Sequence, residues 1–127
     1  FGYQVEIAPR DKMGLWHHSL LAKDHPAREA RFLMATAGQE VNIDASGQKS
    51  VNQVAPAHDI VANFREREWN EMEIIAKGPT LIQKINGVVF SKVTDRDKTM
   101  SRRNGVIAFQ DHGKGCKVAF RNIRMKQ

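Results

Sequence analysis

The sequence has a single cysteine and no long apolar run, and each absence excludes a class of protein. Cys116 stands alone, so the chain forms no internal disulfide bond. Because no CxxC or CxxCH pattern surrounds it, neither haem attachment of that kind nor a cysteine-rich zinc site is expected. The longest apolar stretches, such as Val88-Val89-Phe90, are far shorter than the roughly 18 residues of a membrane helix.

A basic stripe interleaved with aromatic side chains is also missing. The formal net charge is +6, but basic residues alternate with acidic ones, as in residues 65–68 and 95–98. The denser basic groups are Arg102-Arg103 and the C-terminal Arg121, Arg124 and Lys126. We interpret this charge as a solvated surface of mixed sign, and nucleic acid is not an expected partner.

The start of the chain has no signal peptide and no methionine, and Phe1 already belongs to a strand-like pattern. We therefore expect either processing or a longer parent protein. With 41% hydrophobic and 27% charged residues, the composition suits one packed core. Residues 1–127 are predicted to form a single β-sandwich domain, the C-terminal portion of a longer domain.

The first seven residues alternate between apolar and polar side chains, which is the pattern of a half-buried β-strand. The apolar side chains share one face, whereas Gln4 and Glu6 share the other. A second strand is predicted over residues 14–21. Residues 24–34 fit either the start of a short helix near Pro26 or a long excursion between strands.

The middle of the chain predicts a hairpin and a short helix. Residues 39–43 and 50–54 are two polar-alternating runs around a turn-rich centre, which favours a hairpin. One or two helical turns are predicted over residues 56–64. Their apolar side consists of Ile60, Val61 and Phe64.

The C-terminal half predicts further strands with tight turns, at residues 69–76, 80–85, 88–93, 105–110 and 117–125. Asn86-Gly87 is a strong hairpin signal because both residues accept positive φ. The side chains assigned to the core are Met72, Ile74, Leu81, Ile85, Ile107, Phe109, Val118 and Phe120.

The predicted fold is an all-β antiparallel β-sandwich. Its strands alone would leave one apolar face uncovered. The sandwich is therefore expected either to lack N-terminal strands or to be completed by a partner chain, including another copy of the same chain.

Four motifs of the C-terminal half resemble, in their order and spacing, the 3-keto-disaccharide hydrolase family. They are EWNEMEIIAKG, INGVVF, GVIAFQDHGKG and VAFRNIRMK. The opening GYQVEIA is similar to that family's G-Y-E-V-Q-I strand, with the two polar residues exchanged. The resemblance covers residues 2–7 and 69–126, whereas the family's usual N-terminal half has no counterpart here.

This resemblance implies a concanavalin-like jelly roll with a concave sugar-binding face. It also implies an exported bacterial protein, extracellular or periplasmic, that acts on glycosides oxidised at the third carbon of the sugar. A ketone there acidifies the hydrogen on C2, so a base can remove it, the glycosidic oxygen can leave, and water can add. Glu6 and His112 are predicted to share the roles of base and acid, in either order, because both side-chain types can be tuned toward neutral pKa.

The remaining candidate residues are polar or aromatic positions expected near the cleft. Gln110 lies on the predicted strand at residues 105–110, and His112 shares its face if that strand continues to residue 112. His17 and His18 must face opposite sides of a strand, and we favour His18. The predicted substrate-binding residues are Tyr3, Gln4, His18, Trp69, Gln110 and Arg121.

Several alternatives stay open. His112 can be an ordinary turn residue between glycines, Glu6 a solvated strand residue, and Trp69 a packing residue. No metal-ligand spacing such as HxxxH is present, but a divalent metal shared by Glu6, His112 and other residues is an alternative. A non-catalytic carbohydrate-binding module and a structural or assembly subunit are the competing functions.

Overall fold

The computed structural model describes residues 2–7, 12–18, 32–110, 113, 115 and 117–126. Its described elements form two β-sheets and one short helix. In chain order they are β1 (Gly2–Glu6), β2 (Gly14–His18), β3 (Leu33–Ala35), β4 (Gln39–Ile43), β5 (Lys49–Gln53), α1 (Ala57–Val61), β6 (Met72–Lys77), β7 (Thr80–Ile85) and β8 (Val88–Asp95). The predicted all-β architecture is confirmed.

The first sheet has three strands in the order β1-β2-β3. β1 and β2 are antiparallel, with Gln4 opposite Trp16 and Tyr3 opposite His17. The alternation in the first residues therefore forms the predicted strand. Segment 24–34 ends in a strand, because β3 begins at Leu33. Phe32, directly before it, is helical, and the rest of that segment up to residue 31 lies outside the described residues.

The second sheet has five strands in the order β5-β4-β8-β7-β6. It contains three hairpins, β4 with β5, β6 with β7 and β7 with β8, and all three join strands that the sequence predicts. Asn86 and Gly87 have φ values of 50° and 82°, as the tight turn between β7 and β8 requires. The pairing is antiparallel except between β4 and β8, which run parallel because a long crossover separates them in sequence.

The two sheets pack on each other through one apolar cluster. Its fully buried members are Leu15, Met34, Ala35, Val41, Ile43 and Val93, with Tyr3, Val5 and Leu81 packed against it. Burial of each large side chain stabilises the fold by about 1.5–3 kcal/mol. The inward faces of β1 and β2 are therefore fixed, and their remaining side chains must project outward.

A second apolar cluster forms around Phe90, whose side chain is buried. Ile60, Val61 and Phe64 of the helical segment pack against it, together with Met72. The predicted helical turn and its apolar side are thus both present. The helical segment therefore packs against the part of the five-stranded sheet that contains Ile85 and Phe90.

Buried polar side chains between the sheets are held by hydrogen bonds. Tyr3 Oη donates to Asp95 Oδ2 at 2.8 Å, and Ser91 Oγ donates to Gln83 Oε1 at 3.1 Å. His17 is fully buried, with Nε2 3.1 Å from the Met100 carbonyl oxygen. Such partners offset the cost of removing polar groups from water.

The predicted strands at residues 105–110 and 117–125 are wrong. No described residue of either segment takes part in a strand ladder. Ile107 and Phe109, expected as a core pair, are 80% and 58% exposed, and Val118 and Phe120 also lie outside the core. Alternation produces a strand only where a neighbouring edge offers backbone partners, and none of the described strand edges pairs with these segments.

The strand predicted from Trp69 begins later, at Met72. The cause is Asn70, whose side chain accepts from Arg65 N at 2.8 Å and donates to the carbonyl oxygens of Arg65 and Glu68. These contacts hold the preceding residues in a loop. Ile74, also assigned to the core, is about half exposed on β6, because β6 is an edge strand of the sheet.

Candidate functional site

The outward faces of β1 and β2 carry the candidate site. Gln4 lies directly opposite Trp16, and Glu6 and His18 lie two residues further along their own strands. Because side chains alternate between the faces of a strand, all four project away from the sheet interface. A pocket of about 180 Å³ opens there, lined by Gln4, Glu6, Lys12, Trp16, His18, Phe32 and Gln110.

One wall of this pocket is aromatic. The Trp16 and Phe32 rings meet edge to face, with centroids 4.9 Å apart at 85°. His18 also meets Phe32 edge to face, at 5.3 Å and 77°. The Trp16 indole is held further because its Nε1 donates to the Lys12 carbonyl oxygen at 2.9 Å. These contacts fix the orientation of the indole plane.

The polar part of the pocket centres on Glu6. Gln4 Nε2 donates a hydrogen bond to Glu6 Oε2. Across the strand pair, Glu6 faces Gly14, which has no side chain. A Cβ at Gly14 would lie 2.1 Å from the Ala35 carbonyl oxygen, so the close approach of β3 requires glycine there. Glu6 is thus a half-buried carboxylate with an amide beside it and no opposing side chain across the strand pair.

Four of the predicted site residues are therefore brought together, namely Gln4, Glu6, His18 and Gln110. Gln110 is the member supplied by the C-terminal part of the chain, so it closes the pocket from a segment remote in sequence. His112, the other predicted catalytic residue, lies outside the described residues. Its role stays a prediction.

Three other predicted residues lie elsewhere. Tyr3 points between the sheets, where its ring meets His17 edge to face at 4.9 Å. Trp69 and Arg121 contact each other, with the guanidinium carbon 4.0 Å from the indole centroid. Neither Trp69 nor Arg121 is among the described residues that line the pocket. Their contact is a cation–π interaction at an exposed position.

Sequence reasoning missed three lining residues, Lys12, Trp16 and Phe32. The signal for Trp16 was available, because it shares strand parity with His18. Phe32 had no such signal. It is separated from β2 by a segment without a clear period, and only the tertiary fold brings its ring against Trp16.

A larger open groove of about 270 Å³ lies at the turn between β4 and β5. Asp44 and Lys49 in this groove make hydrogen bonds within the fold. Hydrogen bonds hold the pKa of Asp44 below its ordinary value, first from Ser46 Oγ and then from the Gln48 and Ser46 amides. Burial lowers the pKa of Lys49, whose Nζ donates to the Leu33 carbonyl oxygen at 3.0 Å. We therefore place the candidate site at the smaller pocket beside Glu6.

Two further findings concern metals and membranes. Among the residues that the structure describes, no group of three or more His, Cys, Asp and Glu side chains is arranged to hold a metal ion. Within the same residues, no helix has the length and apolar character needed to cross a lipid bilayer.

Comparison with protein families gives a match over nearly the whole chain. The family model described as 3-keto-alpha-glucoside-1,2-lyase-like domain matches residues 1–126. The chain belongs to this family, which confirms the predicted resemblance to 3-keto-disaccharide hydrolases. The family has a jelly-roll fold, so the predicted fold class is confirmed as well. No curated protein and no solved structure matches the chain.

Proposed function

We propose, from the premise that this chain is a member of the 3-keto-alpha-glucoside-1,2-lyase-like family, that it cleaves 3-keto-glycosides in the pocket beside Glu6. Action on carbohydrates follows from the family itself. The observation that supports the finer proposal is a half-buried carboxylate next to an amide and an aromatic wall. A sugar needs both polar partners and an apolar surface, and this pocket offers them together.

Glu6 is the proposed base. Its carboxylate takes the proton from C2, and the C–H electron pair moves into the enolate of the C3 ketone. The enolate then expels the glycosidic oxygen from C1, leaving a double bond between C1 and C2. Gln4, which donates to Glu6 Oε2, orients the carboxylate for this transfer.

The departing oxygen must gain a proton as the C1–O bond breaks. In this proposal His112 donates it. Addition of water across the C1–C2 double bond then gives net hydrolysis, whereas release without water gives a lyase product. Gln110 and His18 are proposed to bind sugar hydroxyls from two sides of the pocket. A divalent metal is an alternative for polarising the ketone.

The decisive experiment compares Glu6→Gln with the wild type on a purified 3-keto-glucoside. We expect kcat to fall roughly 10²- to 10⁴-fold, the usual contribution of a positioned base. Glu73→Gln is the matched control, because Glu73 is a strand carboxylate paired with Lys84 at 2.9 Å and lies outside the described lining of the pocket. Undiminished turnover by Glu6→Gln would sink the assignment.

His112→Gln provides a separate test of the acid. We expect a loss in kcat that shrinks as the leaving group becomes more acidic, because a good leaving group needs less protonation. An equal loss for aryl and alkyl leaving groups would contradict the role. Circular dichroism of the variant, compared with the wild type, checks that folding is unchanged.

A second candidate function is an assembly or binding subunit. It is favoured by the exposed apolar side chains of the C-terminal segment, Val106, Ile107, Phe109, Val118, Phe120, Ile123 and Met125. Monomeric soluble proteins rarely expose large contiguous apolar patches. In this proposal a partner chain or another copy of this chain covers them and completes the sandwich.

Light scattering over a range of concentrations tests the assembly proposal. A mass that rises to a multiple of the chain mass supports self-association, and Phe109→Asp should then restore the monomer. A constant monomer mass contradicts it. Sugar binding without turnover by the wild type would favour the non-catalytic module instead. Export to the periplasm or beyond belongs to the same proposal, and cell fractionation of the native protein checks it.

A further inference from the structure

We propose that Trp16 determines which sugar this pocket accepts, by stacking on the ring face that carries the C2 and C4 hydrogens. The inference rests on the proposed function, since it uses Glu6 as the base that removes the C2 proton. Trp16 then selects between sugars, and the substrate binds in a single orientation. The supporting geometry comes from the register of β1 and β2 and from the contacts of the indole.

The indole is fixed in place before any ligand binds. Its Nε1 donates to the Lys12 carbonyl oxygen, and the Phe32 ring packs against it edge to face at 85°. A ring held from two directions offers a constant surface. A pre-organised aromatic surface contributes to selectivity because its side chain loses little conformational entropy when the ligand binds.

The base and the indole lie side by side on one sheet face. Gln4 is directly opposite Trp16, so Glu6 is the diagonal neighbour of Trp16 on the adjacent strand. Diagonal neighbours of this kind are about 7–8 Å apart, which a carboxylate side chain and an indole can bridge beneath one sugar ring. A ring that lies on Trp16 therefore presents to Glu6 the hydrogens of its lower face.

The stereochemistry of the sugar then determines which face of its ring lies against the sheet. In a glucose ring with equatorial hydroxyls, the hydrogens on C2 and C4 are both axial and point to the same side. That side must face the sheet, so that the C2 hydrogen meets Glu6 while the C4 hydrogen and its neighbouring carbons rest on the Trp16 indole. The axial oxygen at C1 of an α-glycoside points to the opposite side, away from the sheet and antiperiplanar to the C2 hydrogen.

The same geometry rejects two epimers. Inversion at C4 places an axial hydroxyl against the indole, where it would lose its water without gaining a hydrogen-bond acceptor. Inversion at C2 turns the C2 hydrogen to an equatorial direction, away from Glu6. The C4 epimer is rejected through Trp16 and the C2 epimer through Glu6. A substitution of Trp16 should therefore relax the rejection of the C4 epimer and leave that of the C2 epimer in place.

The test measures kcat/KM for a 3-keto-glucoside and for its C4 epimer. We expect the wild type to prefer the glucoside roughly 10- to 100-fold, the discrimination typical of one misplaced group in an apolar site. Trp16→Ala should bring this ratio close to one, mainly through KM, whereas Trp16→Phe should keep part of the preference. Trp69→Phe, at an exposed tryptophan outside the described lining of the pocket, should leave the ratio unchanged.

A binding measurement keeps the inference testable without turnover. The chain has two tryptophans, so Trp69→Phe leaves Trp16 as the sole indole emitter and Trp16→Phe leaves Trp69. Methyl α-glucoside should change the emission of the first variant and not of the second, and the C4 epimer should change neither. An equal response of both variants, or an unchanged kcat/KM ratio in Trp16→Ala, would overturn the inference. An inactive wild type that still passes the binding test refutes the enzyme proposal alone.

Discussion

Strands β6 to β8 and the C-terminal segment 105–125 are both rich in large apolar side chains, and they bury them to different extents. Phe90 on β8 is fully buried, whereas Phe120 is about half exposed and Val106 almost fully exposed. The turns of the two regions are also alike, since both contain glycines with positive φ, such as Gly87 and Gly113. What differs is pairing. β8 pairs with a strand on each side, whereas no described residue of the C-terminal segment takes part in a strand ladder.

This difference shows that alternating apolar and polar side chains form a strand only where the edge of another strand can pair with that segment. β8 is hydrogen-bonded to β4 and β7, and its inward side chains meet the three-stranded sheet. Burial of those side chains adds to the backbone hydrogen bonds, and neither gain is available to an unpaired extended segment. Measurements in solution can test whether the two regions differ in burial and stability to this extent.

The largest expected contrast is between two phenylalanines. Phe90→Ala should lower the free energy of unfolding by about 3–5 kcal/mol, because it empties a fully buried site. Phe120→Ala should cost less than about 1.5 kcal/mol, since its described ring contact is with Phe109, at 4.6 Å between centroids. Urea denaturation of the two variants measures both values. Equal losses would mean that the C-terminal segment is covered in solution.

The next contrast is between two asparagines with positive φ, Asn86 at 50° and Asn122 at 54°. Asn86→Gly keeps the turn but removes hydrogen bonds to Glu71 N, Asn63 O and Asn70 Oδ1. We expect a loss of about 1–3 kcal/mol. Asn122→Gly should change stability by less than about 0.5 kcal/mol, as at an exposed position without such contacts. Denaturation midpoints that shift equally would contradict the contrast.

A smaller effect is expected where the two regions touch. The Arg121 guanidinium lies over the Trp69 ring, just before β6. A double-mutant cycle of Arg121→Gln and Trp69→Leu should give a coupling of about 0.5–1 kcal/mol, because leucine has no aromatic face. Arg124→Gln combined with Trp69→Leu is the matched control and should be additive. A coupling energy of zero between Arg121 and Trp69 would mean that their contact does not stabilise the position of the C-terminal segment.

The smallest effect concerns the β4–β5 turn. The pKa of Asp44 is below its ordinary value because Ser46 and Gln48 donate to its carboxylate, so the turn is stabilised above the unfolded-state pKa and loses this support as pH falls through the folded-state value. Between neutral pH and about pH 3, the hydrogen-exchange protection factors of the β5 amides, which are corrected for the intrinsic pH dependence of exchange, should fall more than those of the β7 amides. Asp44→Asn should remove this excess fall. Amides of residues 105–110 should show little protection at either pH.

Much of the fold could be predicted because local chemistry decides it. The Asn86-Gly87 turn, the polar centre of the β4–β5 hairpin and the alternation of β1 each specify their own geometry. The separation of His17 from His18 follows from strand parity alone. His17 lies buried and His18 lines the pocket.

Other features could not be predicted because they depend on side-chain contacts that strand periodicity does not encode. The start of β6 at Met72 is set by Asn70, whose side chain closes a loop back to Arg65. The aromatic wall of the pocket forms because Phe32, directly before β3, packs against Trp16 of β2. Strand propensity carries no information about such pairs.

The sequence by itself determined the strands of the hairpins, the outward position of Gln4 and Glu6, and the family, because turn residues, period and ordered motifs are local properties. Only the tertiary structure decided that β4 and β8 run parallel, that Phe32 packs against Trp16, and that the described residues between 105 and 125 do not join the two sheets. The reason is physical. A strand or a pocket wall is completed by whatever edge or ring lies next to it, and neighbours in space are set by the packing of the whole chain.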